Sequence, residues 1–229
     1  PMQEEPFDDW RMKQADMGAY LDWIREATEL AAPHGLTVKA GLECDWFPGI
    51  EPWTDHLRGL YEWDYLIGSV HYLGEKEEFD NTYKMDFWNT TDVEDAWEQY
   101  WKRFRDMAAS GLFHILGHAD LIKKFGFRPG GDLRRYYEPA LEAISRSGAC
   151  LEINTAGWYN KCAEQYPDEL FLRLAAEMDI PLTISSDAHA PENVGRDFDR
   201  AAELASRAGF RQLASFTAGK MRLFPLTGI

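Results

Sequence analysis

The sequence has 229 residues, 45% of them hydrophobic, 14% aromatic and 28% charged, which is enough to bury a complete globular core and too apolar for a disordered chain. Lys and Arg number 24 against 39 Asp and Glu, a formal charge of -15, so no basic face is available to hold a nucleic-acid backbone, and a cationic metal centre suits the balance better. Three widely spaced cysteines, Cys44, Cys150 and Cys162, argue against a disulfide framework and for a reducing, cytoplasmic setting, and no apolar run approaches the about 18–20 residues that span a bilayer.

The segment Pro1 to Asp9 is acidic, unlike a basic secretory leader, and the first residue is not Met, so an upstream segment is expected to have been removed or left out. Met17, Tyr20, Leu21, Ile24, Ala27, Thr28 and Ala31 recur at helical spacing, and Gly35 is a stop signal. A short strand is expected over Leu36–Glu43, a helix over Pro52–Leu60 and a strand over Tyr65–Val70, closed by His71. Tyr72 to Thr90 shows no clear period and reads as a functional loop. Thr91 and Glu94 are spaced as a capping box, ahead of an apolar stripe of Val93, Trp97, Tyr100, Trp101, Phe104 and Met107 that belongs to the core. Strands at Phe113–Gly117, Ala149–Ile153 and Pro181–Ser185 then alternate with helices at Leu133–Ser147, Asp168–Met178 and Phe198–Ala208, before a last apolar run at Gln212–Phe216. Such alternation implies a parallel sheet with crossover helices, an open doubly wound sheet or a closed barrel, in one domain spanning residues 1–229.

Metal-type residues fall at the C-terminal ends of these expected strands: Glu43, His71, His118, then Asp187 and His189. In a parallel barrel that rim is where side chains from separate strands converge, and imidazoles with carboxylates are the donors that zinc, manganese or iron prefer. The other histidines fit plainer roles. His34 sits in the last turn of the first helix, His56 lies among Trp53, Asp55 and Arg58, and His114 starts the strand that His118 ends, at the opposite end of any barrel.

The runs Gly41-Leu42-Glu43, Ile67-Gly68-Ser69-Val70-His71-Tyr72, Gly117-His118-Ala119-Asp120-Leu121, Glu152-Ile153-Asn154-Thr155-Ala156-Gly157 and Ser186-Asp187-Ala188-His189 follow one another in this order. Together they resemble the motifs of the polymerase and histidinol phosphatase (PHP) superfamily, most closely its histidinol-phosphate phosphatase branch. The resemblance implies a distorted seven-stranded (β/α) barrel of TIM-like form with two or three divalent ions (Zn, Mn or Fe). It also implies that Glu43 bridges two metals, that His71 and His118 bind the second, that Asp187 binds the first and that His189 binds a third. Members of the superfamily open with a His-x-His strand and a second strand ending in Asp-His. Pro1 and Met2 resemble the residues just after that pair, so the first two strands are expected to be missing from this sequence.

The implied reaction is metal-assisted hydrolysis of a small-molecule phosphate monoester, histidinol phosphate to histidinol and phosphate in histidine biosynthesis, with Glu43 and Asp187 holding the ions that generate the nucleophile. The alternatives are a related phosphoesterase acting on nucleotides or phosphotyrosine, and a non-catalytic barrel kept as a binding module. Lys123, Lys124 and Arg128, in the loop after His118, are candidates for the substrate phosphate. The phosphatase branch carries an arginine soon after its Asn-Thr-(Ala or Ser)-Gly segment; here Trp158, Tyr159 and Asn160 intervene, and Lys161 is the first cation.

Overall fold

The structure, a computed structural model, describes residues 11–74 and 77–226, so Pro1, Met2 and the rest of the acidic N-terminal segment lie outside the described residues. Helix α1 (Met17–Ala31) runs into a single 3-10 turn through His34, and Gly35, at φ 70, takes the left-handed conformation that ends it. Strand β1 is Gly41–Asp45, later than the pattern predicts, because pairing with β2 (Tyr65–Ser69) begins only at Gly41 opposite Tyr65. Just ahead of it the Ala40 N–H is taken by the Asp64 carboxylate at 2.8 Å instead of by a strand. Helix α2 (Glu51–Gly59) joins the two.

The segment expected to be an irregular loop contains structure. Strands β3 (Tyr72–Leu73) and β4 (Glu77–Glu78) pair antiparallel, and helix α3 (Asp86–Thr90) follows. Elements of two residues are too short to show a period; what holds the segment is buried aromatic surface, with the Trp88 indole N–H donating to the Phe79 carbonyl at 2.7 Å. Helix α4 (Val93–Ala109) buries Trp97, Tyr100, Trp101, Phe104 and Met107 along one stripe. Its cap is Asp92 rather than the predicted Thr91, since the Asp92 carboxylate accepts the N–H groups of Glu94 and Asp95 at 2.9 and 3.2 Å.

Thereafter come β5 (Ile115–Leu116), α5 (Arg134–Ser147), β6 (Cys150–Asn154), α6 (Glu169–Glu177), β7 (Leu182–Ser185) and α7 (Phe198–Ala208). The last apolar run becomes β8 (Gln212–Thr217), paired antiparallel with an unpredicted β9 (Lys220–Pro225). Strands β1, β2, β5, β6 and β7 form one parallel sheet in that order. Helices α4, α5 and α6 meet through Trp101, which stacks on Phe171 and packs edge-on against Tyr137 with centroids 5.3 and 5.1 Å away. This apolar cluster carries most of the burial, and it leaves the C-terminal ends of five co-directional strands at one rim.

Candidate metal centre

Residues i and i+2 of a strand share a face, so β1 presents Glu43 and Asp45 together while Leu42 and Cys44 pack into the core. Glu43 Oε1 accepts the Ser69 hydroxyl of β2 at 2.6 Å and meets His118 Nε2 at 3.0 Å and His71 Nε2 at 3.7 Å. Ligand-capable atoms of Glu43, His71 and His118 all lie within 4.8 Å of one another, and the two imidazole centroids are 4.9 Å apart. His71 is oriented from behind by Asp45, whose Oδ1 is 2.6 Å from its Nδ1, while Asp45 Oδ2 pairs with Arg11 at 3.2 Å. That arrangement leaves His71 Nε2 facing the Glu43 carboxylate.

Burial opposes ionisation of Glu43, yet the hydrogen bond and charge of His118, with His71 and Ser69, hold its carboxyl well below the usual carboxylate range. Burial likewise opposes charge on His71, but the hydrogen bond to Asp45 and the charges of Asp80, Asp45 and Glu43 outweigh it and push the imidazole up to about 10. The same competition, won by Glu43, raises His118. Two imidazole nitrogens and a carboxylate converging on one point, with the His118 Nδ1 buried and unpartnered among the described residues, fit a divalent ion.

Asp187, at φ 47 beyond β7, and His189 line the same cavity of about 940 Å3 but stand outside the triad. Asn154 Nδ2 donates to Asp187 Oδ2 at 3.2 Å, and the His189 side chain is 87% exposed. Lys124 reaches the cavity wall, 3.2 Å from Asp80. Lys123 corrects the basic-loop expectation: its side chain is 0% exposed and its ammonium sits 2.9 Å from Asp120 and 3.3 Å from Glu164, away from any incoming ligand. Burial pushes Asp120 up to about 7 despite that partner. Arg128 is engaged by Glu164 and, at 3.7 Å, Asp168, and neither it nor the exposed Lys161 lines the cavity. The sequence points to no role for Asp45, Arg11 or Asp80, and places Glu152 in a motif without a role; the signal for Asp45 and Glu152 was alternation, since Glu43-x-Asp45 and Glu152-x-Asn154 each set two polar side chains on one strand face.

A family model described as "PHP domain" matches residues 13–156, and one described as "PHP-associated" matches residues 169–198. The chain belongs to the PHP domain family. A protein of Deinococcus radiodurans named "Probable histidinol-phosphatase" is 38% identical over 213 residues, covering 93% of the PHP chain and 80% of that relative. The "Histidinol-phosphatase" of Bacillus subtilis is 27% identical over 85% of this chain and 78% of its own. A crystal structure of histidinol phosphate phosphatase from Lactococcus lactis, complexed with zinc, L-histidinol and phosphate, superposes with a TM-score of 0.75 at 23% identity, covering 89% of this chain and 79% of that one. The five-stranded parallel sheet with its crossover helices is therefore the PHP fold, the distorted barrel expected from the motifs.

Proposed function

We propose that this PHP chain is a metal-dependent phosphomonoesterase that converts histidinol phosphate and water to histidinol and phosphate, as one catalytic domain over residues 1–229 working in the cytoplasm. The observation that carries the reading is the convergence of Glu43, from β1, and His71 and His118, just beyond β2 and β5, onto one point, in a chain 38% identical to a relative bearing that activity in its name. Glu43, His71, His118, Asp187 and His189 would hold two or three divalent ions, zinc, manganese or iron by their imidazole and carboxylate donors, with zinc favoured by the zinc in the Lactococcus complex. When bound, such ions supply hydroxide near neutral pH and neutralise charge on phosphate oxygens.

The chain's own residues do the rest. Asp45, clamped by Arg11, fixes the tautomer and direction of His71, and Ser69 holds Glu43 Oε1 against both imidazoles. Glu43 and Asp187 face the cavity from β1 and from beyond β7, where they would hold the ions that supply the nucleophile. Lys124 is the cation placed to receive the phosphate, exchanging its bond to Asp80 for one to the substrate. A surface of net charge -15 supports a small phosphate ester as the partner rather than a nucleic acid, and among the described residues no helix is long and apolar enough to cross a membrane.

The test is phosphate release from histidinol phosphate by the full-length natural protein loaded with zinc or manganese. Release should vanish on chelation, return with metal, and fall more than about 100-fold in Glu43→Gln, on the scale of removing a group that acts in the transition state. Metal-loaded protein that leaves histidinol phosphate intact but hydrolyses a nucleotide or phosphotyrosine would overturn the assignment of substrate.

A further inference from the structure

Glu152 lies at the middle of β6, 3% exposed, with no Lys or Arg paired to it among the described residues. A buried carboxylate in that state needs its oxygens satisfied by hydrogen bonds, and here they are. Oε2 accepts the His118 backbone N–H at 2.6 Å and the Asn154 side-chain amide at 3.3 Å, and Oε1 accepts the Ser185 hydroxyl of β7 at 2.6 Å. The same Asn154 amide continues to Asp187 Oδ2 at 3.2 Å. One carboxylate thus ties β6 to the last residue of β7 and to the segment after β5 that carries His118, and reaches Asp187, beyond β7, through Asn154.

Both of those segments need such a restraint. His118 holds φ 25 and Asp187 φ 47, a region that costs a residue with a Cβ free energy unless its surroundings impose it. Neither β5, with two residues, nor β7, with four, is long enough to dictate the direction of the chain beyond its end. On the reading that His118 and Asp187 are metal ligands, we propose that Glu152 is a positioning residue: it locks the His118 backbone and, through Asn154, the Asp187 carboxylate, so that ligands from separate strands keep the spacing a cation requires.

Direction and reach of the acceptor matter here more than its charge, which separates this role from simple electrostatic attraction. Glu152→Gln keeps an oxygen for the His118 N–H and offers an amide to Ser185, whereas Glu152→Leu fills the space with no acceptor. Zinc affinity measured by competitive chelator titration of the full-length protein should stay within about threefold of wild type in Glu152→Gln and fall about 10- to 100-fold in Glu152→Leu, the range for residues that orient ligands from behind. Circular dichroism confirms which variants are folded. If Glu152→Leu does not fold, Asn154→Ala decides, because it spares the carboxylate and cuts its tie to Asp187; it should bind zinc about tenfold more weakly. Folded Glu152→Leu with wild-type affinity overturns the proposal, as does Asn154→Ala with wild-type affinity, or Glu152→Gln as weak as Glu152→Leu. Wild-type protein that binds no zinc overturns the metal reading itself, and is told apart because no variant is then needed.

Discussion

Lys123 places its ammonium 2.9 Å from Asp120 Oδ2 with neither side chain exposed, and each charge of such a pair depends on the other to offset its own desolvation. Replacing Lys123 by Met leaves a buried carboxylate uncompensated, which costs about 3–5 kcal/mol, so a thermal melt of Lys123→Met should show a large fall in Tm. Lys124 differs: it is partly exposed, faces the cavity and pairs with Asp80. Lys124→Met should leave Tm nearly unchanged while raising KM for histidinol phosphate about tenfold, worth about 1.4 kcal/mol of phosphate binding; an unchanged KM would remove Lys124 from the phosphate site. The two lysines read alike in sequence because a 3-10 turn, Leu121–Lys123, decides which of them turns inward, and depth within a turn has no period. Glu43, His71 and His118 could be read as a group for the opposite reason: each lies in or just after a short apolar run of the parallel sheet, so strand direction brings them to one side, while Asp187 and His189, in the segment beyond β7, stand outside the triad. Asp45 was hidden by its ordinary appearance in a strand, although its contact with His71 Nδ1 orients that ring. Asp45→Ala should therefore weaken zinc binding about 10- to 100-fold while Glu43, His71 and His118 all remain, which a chelator titration would read.

At the scale of elements, α4 shows both what hydrophobic period carries and where it stops. The stripe Trp97, Tyr100, Trp101, Phe104 and Met107 marks the buried face, and the helix spans Val93–Ala109 as that stripe requires. The start is decided by one hydrogen-bonding side chain, and two adjacent residues, Thr91 and Asp92, both have the chemistry for it. Asp92 wins because its backbone is extended, at φ -66 and ψ 136, directly before the first helical residue, while Thr91 closes α3. Asp92→Ala should cost about 1 kcal/mol in chemical denaturation, and Thr91→Ala less than about 0.5 kcal/mol. Equal losses would mean that the two residues share the cap. Strands β3, β4 and β9 escaped the sequence reading on other grounds: the first two have only two residues each, and β9 is exposed along most of its length, so no apolar alternation marks it.

Across the whole molecule the two ends of the parallel sheet are built on opposite electrostatic terms. The C-terminal rim gathers charges, while the N-terminal end is closed by His114, whose Nδ1 accepts the Leu66 N–H at 2.9 Å and whose ring packs edge-on against Phe216 of β8. Accepting that bond requires a lone pair on Nδ1, so the neutral imidazole is the form the fold uses. Burial first, and the charge of Arg58 second, accordingly lower the pKa of His114 below 6.5. Asp64 fastens the β8–β9 turn beside it, accepting the Ala218 N–H at 2.9 Å, so loss of the His114 contact loosens the seat of that hairpin on the sheet. The linkage has a definite sign. A group whose pKa is lower when folded takes up more protons when unfolded, so its contribution is intact above about pH 6.5 and is lost as the pH falls through the folded value. His114→Gln, which cannot protonate and can still offer an oxygen to Leu66, should flatten the acid side of the stability profile of the metal-free protein below about pH 6.5. The His114 ring resonances should titrate below 6.5 in the wild type; a midpoint at or above that value, or an unaltered acid slope in His114→Gln, would show that this end of the sheet is indifferent to the imidazole's charge.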